Sequence, residues 1–281
     1  MSAPVQTQVQ HTHSLTGEGD AIAQITDASG HVSIHIPAGR GGILTSIDLA
    51  MEFIGEDVVN SGGIVQLRNS DSDWYPFYVP TGCWTVDTEG GSSLAPMSYP
   101  CFKKLPGNST VTVNYMPLDD QSQYLQVTLH WILTNADPAT ETFYDVIHPL
   151  LGDAHSKVAR HQVDTSWEHN GATDMIPIPK GKEGYTKYVI FQPWGTTETI
   201  LVGGGEIEME NDAYDITPSE FYTTMISEVT ASGAGYNPML IKHHVECKAD
   251  SNFRFFSTFR DNQAQVTTCG ICWETAYKAK P

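Results

Sequence analysis

The residue pair best suited to chemistry is Cys269 and Cys272, which stand in the sequence Cys-Gly-Ile-Cys. Two cysteines at this spacing can bind zinc or act as a redox dithiol. The surrounding residues 266–274 predict a β-strand, however, and positions three apart on a strand face opposite sides. A zinc site of this type also needs a second cysteine pair, and the sequence has no second CxxC. We therefore predict that both cysteines are structural.

A second group of possible ligands lies near the start of the chain. His11-Thr-His13 followed by Glu18 is similar to part of the metal motif of the cupins, and Pro37-Ala-Gly39 is similar to part of their second motif. The cupin pattern requires a histidine where this chain has Gly42, and it requires a strand before the first histidine pair. We predict no metal site from these residues.

The remaining polar residues that could bind a ligand or take part in catalysis are also better explained as parts of strands and turns. His243 and His244 lie in a strand-like run, so their side chains should face opposite ways. Gly203–Gly205 follows an apolar run but precedes no helix pattern, which favours a bulge or tight turn over a phosphate-binding loop. The acidic residues Asp71, Asp73, Asp119 and Asp120 sit among turn formers. We find no nucleophile, nucleotide or metalloprotease motif and predict no catalytic, cofactor or metal residues, so we expect no enzyme activity.

Composition narrows the class of protein. The 281 residues include 33 acidic and 15 basic side chains, a net charge of −18, and 40% are hydrophobic. An excess of negative charge argues against direct binding of nucleic acid, which needs a basic surface. The hydrophobic fraction is enough for a folded core. No apolar run reaches the length of a membrane-spanning helix.

The chain repeats itself when it is shifted by 142 positions, the distance from Ile36 to Ile178. When residues 31–134 are aligned without a gap to the residues 142 positions later, 21 of the 104 pairs are identical. Chance would give about six identical pairs. The matches include Ile36-Pro37 on Ile178-Pro179, and Trp131 on Trp273. This period has the size of a domain, so we predict two copies of one module.

Each copy predicts a β-rich domain. Short alternating runs separated by Gly, Pro, Asn and Asp recur in both copies, and the last run of the first copy alternates from Leu125 to Leu133. Alternation of this kind indicates strands with one buried face, so we interpret Trp131 and Trp273 as core residues. About eight strands in about 105 residues suits a jelly roll. The predicted fold is all-β: two tandem jelly-roll barrels or sandwiches.

The segments outside the copies differ in character. Residues 140–161 have partly helical spacing interrupted by Pro149 and Gly152, which predicts a short helical connector. Residues 1–30 are polar and predict an extended N-terminal arm that orders against a neighbour. The predicted domains are an arm at 1–30, a first jelly roll at 31–135, a linker with a short helix at 136–172 and a second jelly roll at 173–281.

This arrangement resembles one protein family. Two tandem jelly rolls, the sequence Ile176-Pro-Ile-Pro-Lys-Gly181 opening the second copy, and a final strand that carries a tryptophan are similar to the double jelly-roll major capsid proteins of icosahedral viruses, in particular tailless viruses with an internal membrane. The resemblance implies a homotrimer whose six rolls form a pseudo-hexagonal capsomer in an icosahedral shell. It also implies neighbouring capsomers, minor capsid or penton proteins and an internal membrane as partners. The location implied is the virion, after assembly in the host cytoplasm.

Two other interpretations remain open at the level of sequence. A tandem β-sandwich that binds carbohydrate, such as a lectin or adhesin, would also explain the duplication and acidity, and it predicts exposed aromatic residues or calcium-binding carboxylates on loops. An enzyme on a double barrel would need a metal or a carboxylate pair in a pocket. A fold alone does not decide between these functions.

Overall fold

The computed structural model describes residues 5–15, 23–24, 33–39, 41–54, 62–71, 74–85, 92–93, 95–117, 122–134, 154–163, 175–195, 202–203, 205–213, 219–222, 226–227, 234–259 and 265–275. The regular elements in these residues are β-strands, and no helix forms among them.

The strands divide into two groups that follow each other in the chain. The first group comprises β1 (Val5–Leu15), β2 (Ala23–Gln24), β3 (Ser33–Ile36), β4 (Gly41–Ile54), β5 (Gly63–Asn69), β6 (Phe77–Pro80), β7 (Cys83–Thr85), β8 (Ser92–Ser93), β9 (Met97–Leu105), β10 (Ser109–Pro117) and β11 (Ser122–Thr134). The second group comprises β12 (Ala154–Val163), β13 (Met175–Ile178), β14 (Gly184–Gly195), β15 (Val202–Gly203), β16 (Gly205–Asn211), β17 (Ser219–Tyr222), β18 (Ile226–Ser227), β19 (Ala234–Tyr236), β20 (Met239–Lys242), β21 (Glu246–Cys247), β22 (Ser251–Phe259) and β23 (Gln265–Thr275).

Both groups have the strand order of a jelly roll. In the first, one antiparallel sheet runs β1-β11-β4 and continues to β8 and β9, while the other runs β10-β5-β6 with β2 and β3 on the far side of β10. In the second, the sheets run β12-β23-β14-β20 and β13-β22-β16-β17. The first and last strands of each group are therefore neighbours in one sheet, as two nested Greek keys require. The predicted all-β fold of two tandem jelly rolls is confirmed.

The strand bounds confirm the internal duplication. β3, β5, β6 and β10 become β13, β16, β17 and β22 when 142 is added to both ends of each strand. No residue is inserted or deleted between these strands, so a residue in one roll has a defined counterpart in the other.

The two rolls share a β-bulge. Trp131 pairs with Leu44 and His130 pairs with Ser46, so the register of β4 and β11 skips Thr45. The same skip occurs at the equivalent position of the second roll, where Lys187 is left out between two paired residues of β14. A bulge increases local twist and redirects the strand, so its presence in both copies indicates that the curvature of the two sheets is alike.

The turns also match. Gly39 and Gly181 have φ values of 71° and 81°, and Asn108 and Asp250 have φ values of 56° and 58°. Glycine, asparagine and aspartate are the residues that tolerate this left-handed conformation best. The turns therefore keep the same backbone shape where the side chains differ.

Each roll has its own buried core. The indole side chains of Trp131 and Trp273 are only 2% and 0% exposed, and the Trp273 indole N–H donates to the Lys182 carbonyl at 2.7 Å. The prediction that both tryptophans are core residues is confirmed. Burial of aromatic rings of this size dominates the energetics of a small β-sandwich.

Two segments differ from the sequence-based prediction. Residues 5–15, which we predicted as part of an arm, are extended but form β1, an antiparallel partner of β11 in the same chain. Residues 154–161, which we predicted as part of a helical connector, lie in β12 and pair with β23. The helical prediction is wrong for those residues, because most of the apolar spacing behind it lies before Gly152 and pairing with β23 determines the structure of β12. Residues 136–153 lie outside the described residues, and the domain boundaries stay a prediction.

Candidate functional site

The two cysteines of the CxxC sequence lie on opposite faces of β23, as predicted. Cys269 packs in the core of the second roll, while Cys272 packs against residues of the first roll. Both are buried and free, and burial raises the pKa of the Cys272 thiol to about 12 and that of Cys269 still further. Two protonated thiols on opposite faces of a sheet cannot act as a dithiol or bind one metal ion.

The histidines considered in the sequence analysis are only partly described by the structure. His11 and His13 lie in β1, where only the backbone is described, and Glu18 lies outside the described residues. His243 and His244 fall in the break between β20 and β21 rather than within a strand. His243 lies beside Thr186, whereas the His244 ring stacks on Tyr185 with centroids 4.9 Å apart.

Of the other polar candidates that the structure describes, Asp71 lies in a turn and Gly203 lies in a strand. The Asp71 N–H donates to the Asn69 side chain at 2.8 Å, which is an Asx turn. Gly203 ends a short strand that pairs with β18. Asp73, Asp119 and Asp120 lie outside the described residues. Among the described side chains, no group of three or more His, Cys, Asp or Glu could hold a metal ion, and no described segment forms a helix able to cross a membrane.

The main site that sequence reasoning missed is the junction between the rolls. Tyr188, Ile190 and Cys272 belong to the second roll by strand order, yet they are buried in the same hydrophobic cluster as the core of the first roll. In return, Tyr75 of the first roll packs on Trp273 with ring centroids 6.3 Å apart. The side chains of the two central strands of this sheet, β14 and β23, are therefore buried on both faces where the strands cross the junction.

Four further contacts stabilise the junction. The Tyr188 hydroxyl donates to the Pro100 carbonyl at 3.0 Å. β7 of the first roll pairs with β19 of the second, and the Asn237 side-chain amide donates to the Ala95 carbonyl at 3.0 Å. The backbone of β12 also packs along β6 and β9. These contacts join the two rolls through both main-chain pairing and apolar burial.

The sequence contains a signal for this junction. In the first roll, Ser46-Ile-Asp-Leu49 alternates between polar and apolar residues, as a sheet with one covered face requires. The corresponding residues of the second roll are Tyr188-Val-Ile-Phe191, an unbroken apolar run. A continuous run is typical of a strand that is buried on both sides.

A cavity of about 480 Å³ opens at the junction. Segment 100–102 of the first roll lines one side, and Tyr188, Cys272 and segment 242–244 of the second roll line the other. The Lys187 ammonium lies 3.2 Å from the carboxylate of Glu274, whose side chain is only 8% exposed. This ion pair neutralises the buried carboxylate of the cavity wall, as a partly buried charge requires.

His243 is held at the edge of this cavity. Its Nδ1 lies 3.1 Å from the Thr186 hydroxyl, and the same hydroxyl accepts from the Val245 N–H at 2.8 Å. Burial, together with the charge of His244, lowers the pKa of His243 below its ordinary value of 6.5. His243 is therefore held in its neutral form near pH 7.

This lowered pKa predicts a loss of stability on acidification. Below about pH 6.5 the unfolded chain binds a proton at residue 243 that the folded chain resists, so the free energy of unfolding falls as the pH falls. Urea unfolding at about pH 7.5 and about pH 5.5 measures the change, and His243→Gln should reduce it. The same pH dependence in wild type and in His243→Gln would contradict this assignment. Lys187, Lys242, His244 and Glu274 line the same cavity and are present in both proteins, so the comparison reports on residue 243 together with its interaction with His244.

Comparison with known proteins gives similarity in structure but not in sequence. No protein-family model and no curated protein matches the sequence. Among solved structures, the chain is similar to the STIV MCP, with a TM-score of 0.44, 8% identity and 98% of both chains covered. It is also similar to the major capsid protein P2 from bacteriophage PM2, with a TM-score of 0.34, 8% identity, and 98% of this chain and 100% of that chain covered.

A third similar structure is of another kind. The tandem CBM22-1–CBM22-2 domain of Xyn10C from Paenibacillus barcinonensis has a TM-score of 0.23 and 12% identity, with 98% of this chain and 94% of that chain covered. These similarities are too distant to assign a function. The function has to be argued from the strand order and the contacts of this chain.

Proposed function

We propose that this chain is a major capsid protein that assembles into homotrimeric, pseudo-hexagonal capsomers of an icosahedral shell. The observation that carries the proposal is the junction, where Tyr188, Ile190 and Cys272 of one roll are buried in the core cluster of the other. Domains of one chain move relative to each other unless their interface is large and hydrophobic. An apolar, hydrogen-bonded junction favours a fixed arrangement of the two rolls, which suits a building block.

The duplication supports the same conclusion. A chain with two equivalent rolls presents two nearly equivalent sets of side surfaces, and three copies would supply six rolls around one axis. Jelly rolls also protect most of their strand edges, so they can pack side by side without uncontrolled pairing. Independent carbohydrate-binding modules do not need to bury a sheet face in each other, and the shared core therefore favours the shell over the binding protein.

The proposed partners agree with this role. They are further copies of the chain, neighbouring capsomers, minor capsid or penton proteins, and an internal membrane, with the virion as location and the host cytoplasm as the place of assembly. We expect no direct contact with nucleic acid, because a net charge of −18 repels phosphates. The proposed role is structural and requires no enzyme activity.

The test is the mass and outline of the purified protein in solution. Sedimentation and negative-stain electron microscopy should show a stable homotrimer with a hexagonal outline. A monomer that binds glycans on an array would overturn the proposal in favour of the carbohydrate-binding alternative.

Assembly should depend strongly on ionic strength. Each chain carries a net charge of −18, and copies of the same sign repel each other over about 30 Å at 0.01 M salt but only about 3 Å at 1 M. We therefore expect higher salt, or divalent cations, to increase the yield of assembled particles. Light scattering across this range provides the measurement. Assembly that is unchanged from about 0.01 M to about 1 M salt would show that self-repulsion does not limit it.

A further inference from the structure

The contact between the two rolls has two sides that can be defined separately. The side contributed by the first roll is segment 100–102 of β9, which lines the junction cavity and which we call the ridge. On the second roll it is the outward face of β14 and β23, represented by Tyr188, Ile190 and Cys272. The Tyr188 hydroxyl donates to the carbonyl of Pro100 in the ridge at 3.0 Å.

The duplication gives each side a counterpart in the other roll. Adding 142 to the ridge gives segment 242–244, which we call the second ridge. Subtracting 142 from Tyr188, Ile190 and Cys272 gives Ser46, Asp48 and His130, which we call the second face. The counterparts are structural as well as numerical: in the first ridge the Cys101 thiol contacts the Leu44 carbonyl at 3.8 Å, and in the second ridge His243 contacts Thr186, the counterpart of Leu44.

The second face is more exposed than the face used within the chain. The ridges differ less, because Pro100 and its counterpart Lys242 are both exposed, whereas Phe102 is half-buried and its counterpart His244 is exposed. Ile190 is fully buried, whereas the side chain of its counterpart Asp48 is 38% exposed and that of His130 is 34% exposed. In the second ridge, Lys242 and His244 are exposed. Within a single chain the second ridge borders the junction cavity, while its residues Lys242 and His244, and in part Asp48 and His130 of the second face, remain accessible to another copy.

The two remaining surfaces are complementary in charge. The positive charge of the second ridge is the exposed ammonium of Lys242, since His243 beside it is neutral near pH 7. The second face carries Asp48, whose Oδ2 lies 2.7 Å from His130 Nε2. Its other oxygen, Oδ1, is shielded from solvent and has no hydrogen-bond partner among the described residues. A carboxylate oxygen left without a donor costs free energy, so the charge of Asp48 is only partly compensated within the chain.

We propose that the second ridge of one copy docks on the second face of another copy, repeating the contact between the rolls head to tail and placing Lys242 against Asp48. This proposal rests on the proposed function and names the surface through which the copies associate. A head-to-tail contact between unlike surfaces closes into a ring when the rotation permits it. The polar character of the pair fits surfaces that face water before assembly.

The test is a charge exchange across the predicted contact. Asp48→Lys and Lys242→Glu each place like charges together, and each should weaken trimer formation at least about tenfold. The double variant Asp48→Lys/Lys242→Glu restores an opposite-charge pair and should recover most of the wild-type affinity. Analytical ultracentrifugation at one fixed salt concentration measures the trimer fraction. Lys180→Glu, in a turn outside the contact, makes the same charge change as Lys242→Glu and should leave the trimer intact.

The outcomes separate the two proposals. If wild type forms trimers and the single variants assemble equally well, or if the double variant is no better than the singles, the ridge-to-face contact is wrong while the capsid proposal stands. If wild type remains monomeric in all salt conditions, both proposals fail. Circular dichroism of each variant checks folding, which these exposed positions should tolerate.

Discussion

Gly184→Ala should destabilise the second roll by about 3 kcal/mol or more, which is large beside the few kcal/mol that keep a domain folded. Gly184 begins β14 and pairs with Thr275 of β23. A Cβ atom at this position would collide with the carbonyl oxygen of Glu274. Because that oxygen belongs to the backbone of the neighbouring strand, a side-chain rotation cannot relieve the collision. The two central strands of the sheet would have to move apart.

Gly181→Ala provides the matched control three residues earlier. Gly181 has a φ of 81°, and a Cβ atom there would meet nothing within 4 Å. Gly181→Ala should therefore lower the free energy of unfolding through backbone strain alone, by about 1–2 kcal/mol. Urea denaturation followed by circular dichroism compares the two variants. If Gly184→Ala proves no more destabilising than Gly181→Ala, the close approach of β14 and β23 is not as tight as the structure has it.

The repeat and the alternating strands were the parts of the fold that the sequence could predict. Alternation is a local property, and it located strands such as β4 and β10, in which buried positions largely alternate with more exposed ones. The offset of 142 positions was informative because β3, β5, β6 and β10 recur without insertion or deletion. These two signals together were enough to predict tandem jelly rolls.

The first strand of each roll could not be predicted from alternation or from the repeat. β1 and β12 are held in place by pairing with β11 and β23, which lie far away in the chain. Their sequences, such as Val-Gln-Thr-Gln-Val-Gln, are polar and carry little apolar pattern. Long-range pairing can override weak local preference in β-sheets, which is why polar edge strands were interpreted as an arm and a connector.

The site was hidden for a related reason. Motifs reveal metal ligands and nucleophiles. The residues that form the junction, Tyr188 and Ile190, are instead ordinary core-forming side chains that belong to no motif. Their meaning emerges from comparison with Ser46 and Asp48 at the equivalent positions of the first roll. The difference between the two copies, rather than any motif, marks the face that is covered within the chain.

Ile190→Asp should break the junction between the rolls. Ile190 is 0% exposed and packs in the cluster shared by both rolls. A carboxylate placed there would be buried without a partner, which costs about 3–5 kcal/mol. We expect a large fall in the denaturation midpoint, or a split of one transition into two if the rolls separate before they unfold.

Asp48→Ile makes the reverse exchange at the equivalent position of the first roll. The Asp48 side chain is 38% exposed and its partner His130 is 34% exposed, so the contact between them contributes at most about 1 kcal/mol. The stability of a single chain should therefore change little in Asp48→Ile, in contrast to Ile190→Asp. If Ile190→Asp and Asp48→Ile lower the free energy of unfolding equally, the two sheet faces are equally buried. The inference from Tyr188-Val-Ile-Phe191, that only the face of the second roll is covered within the chain, would then be wrong. If only Ile190→Asp destabilises the chain, one face serves the fold and its counterpart is left free for association.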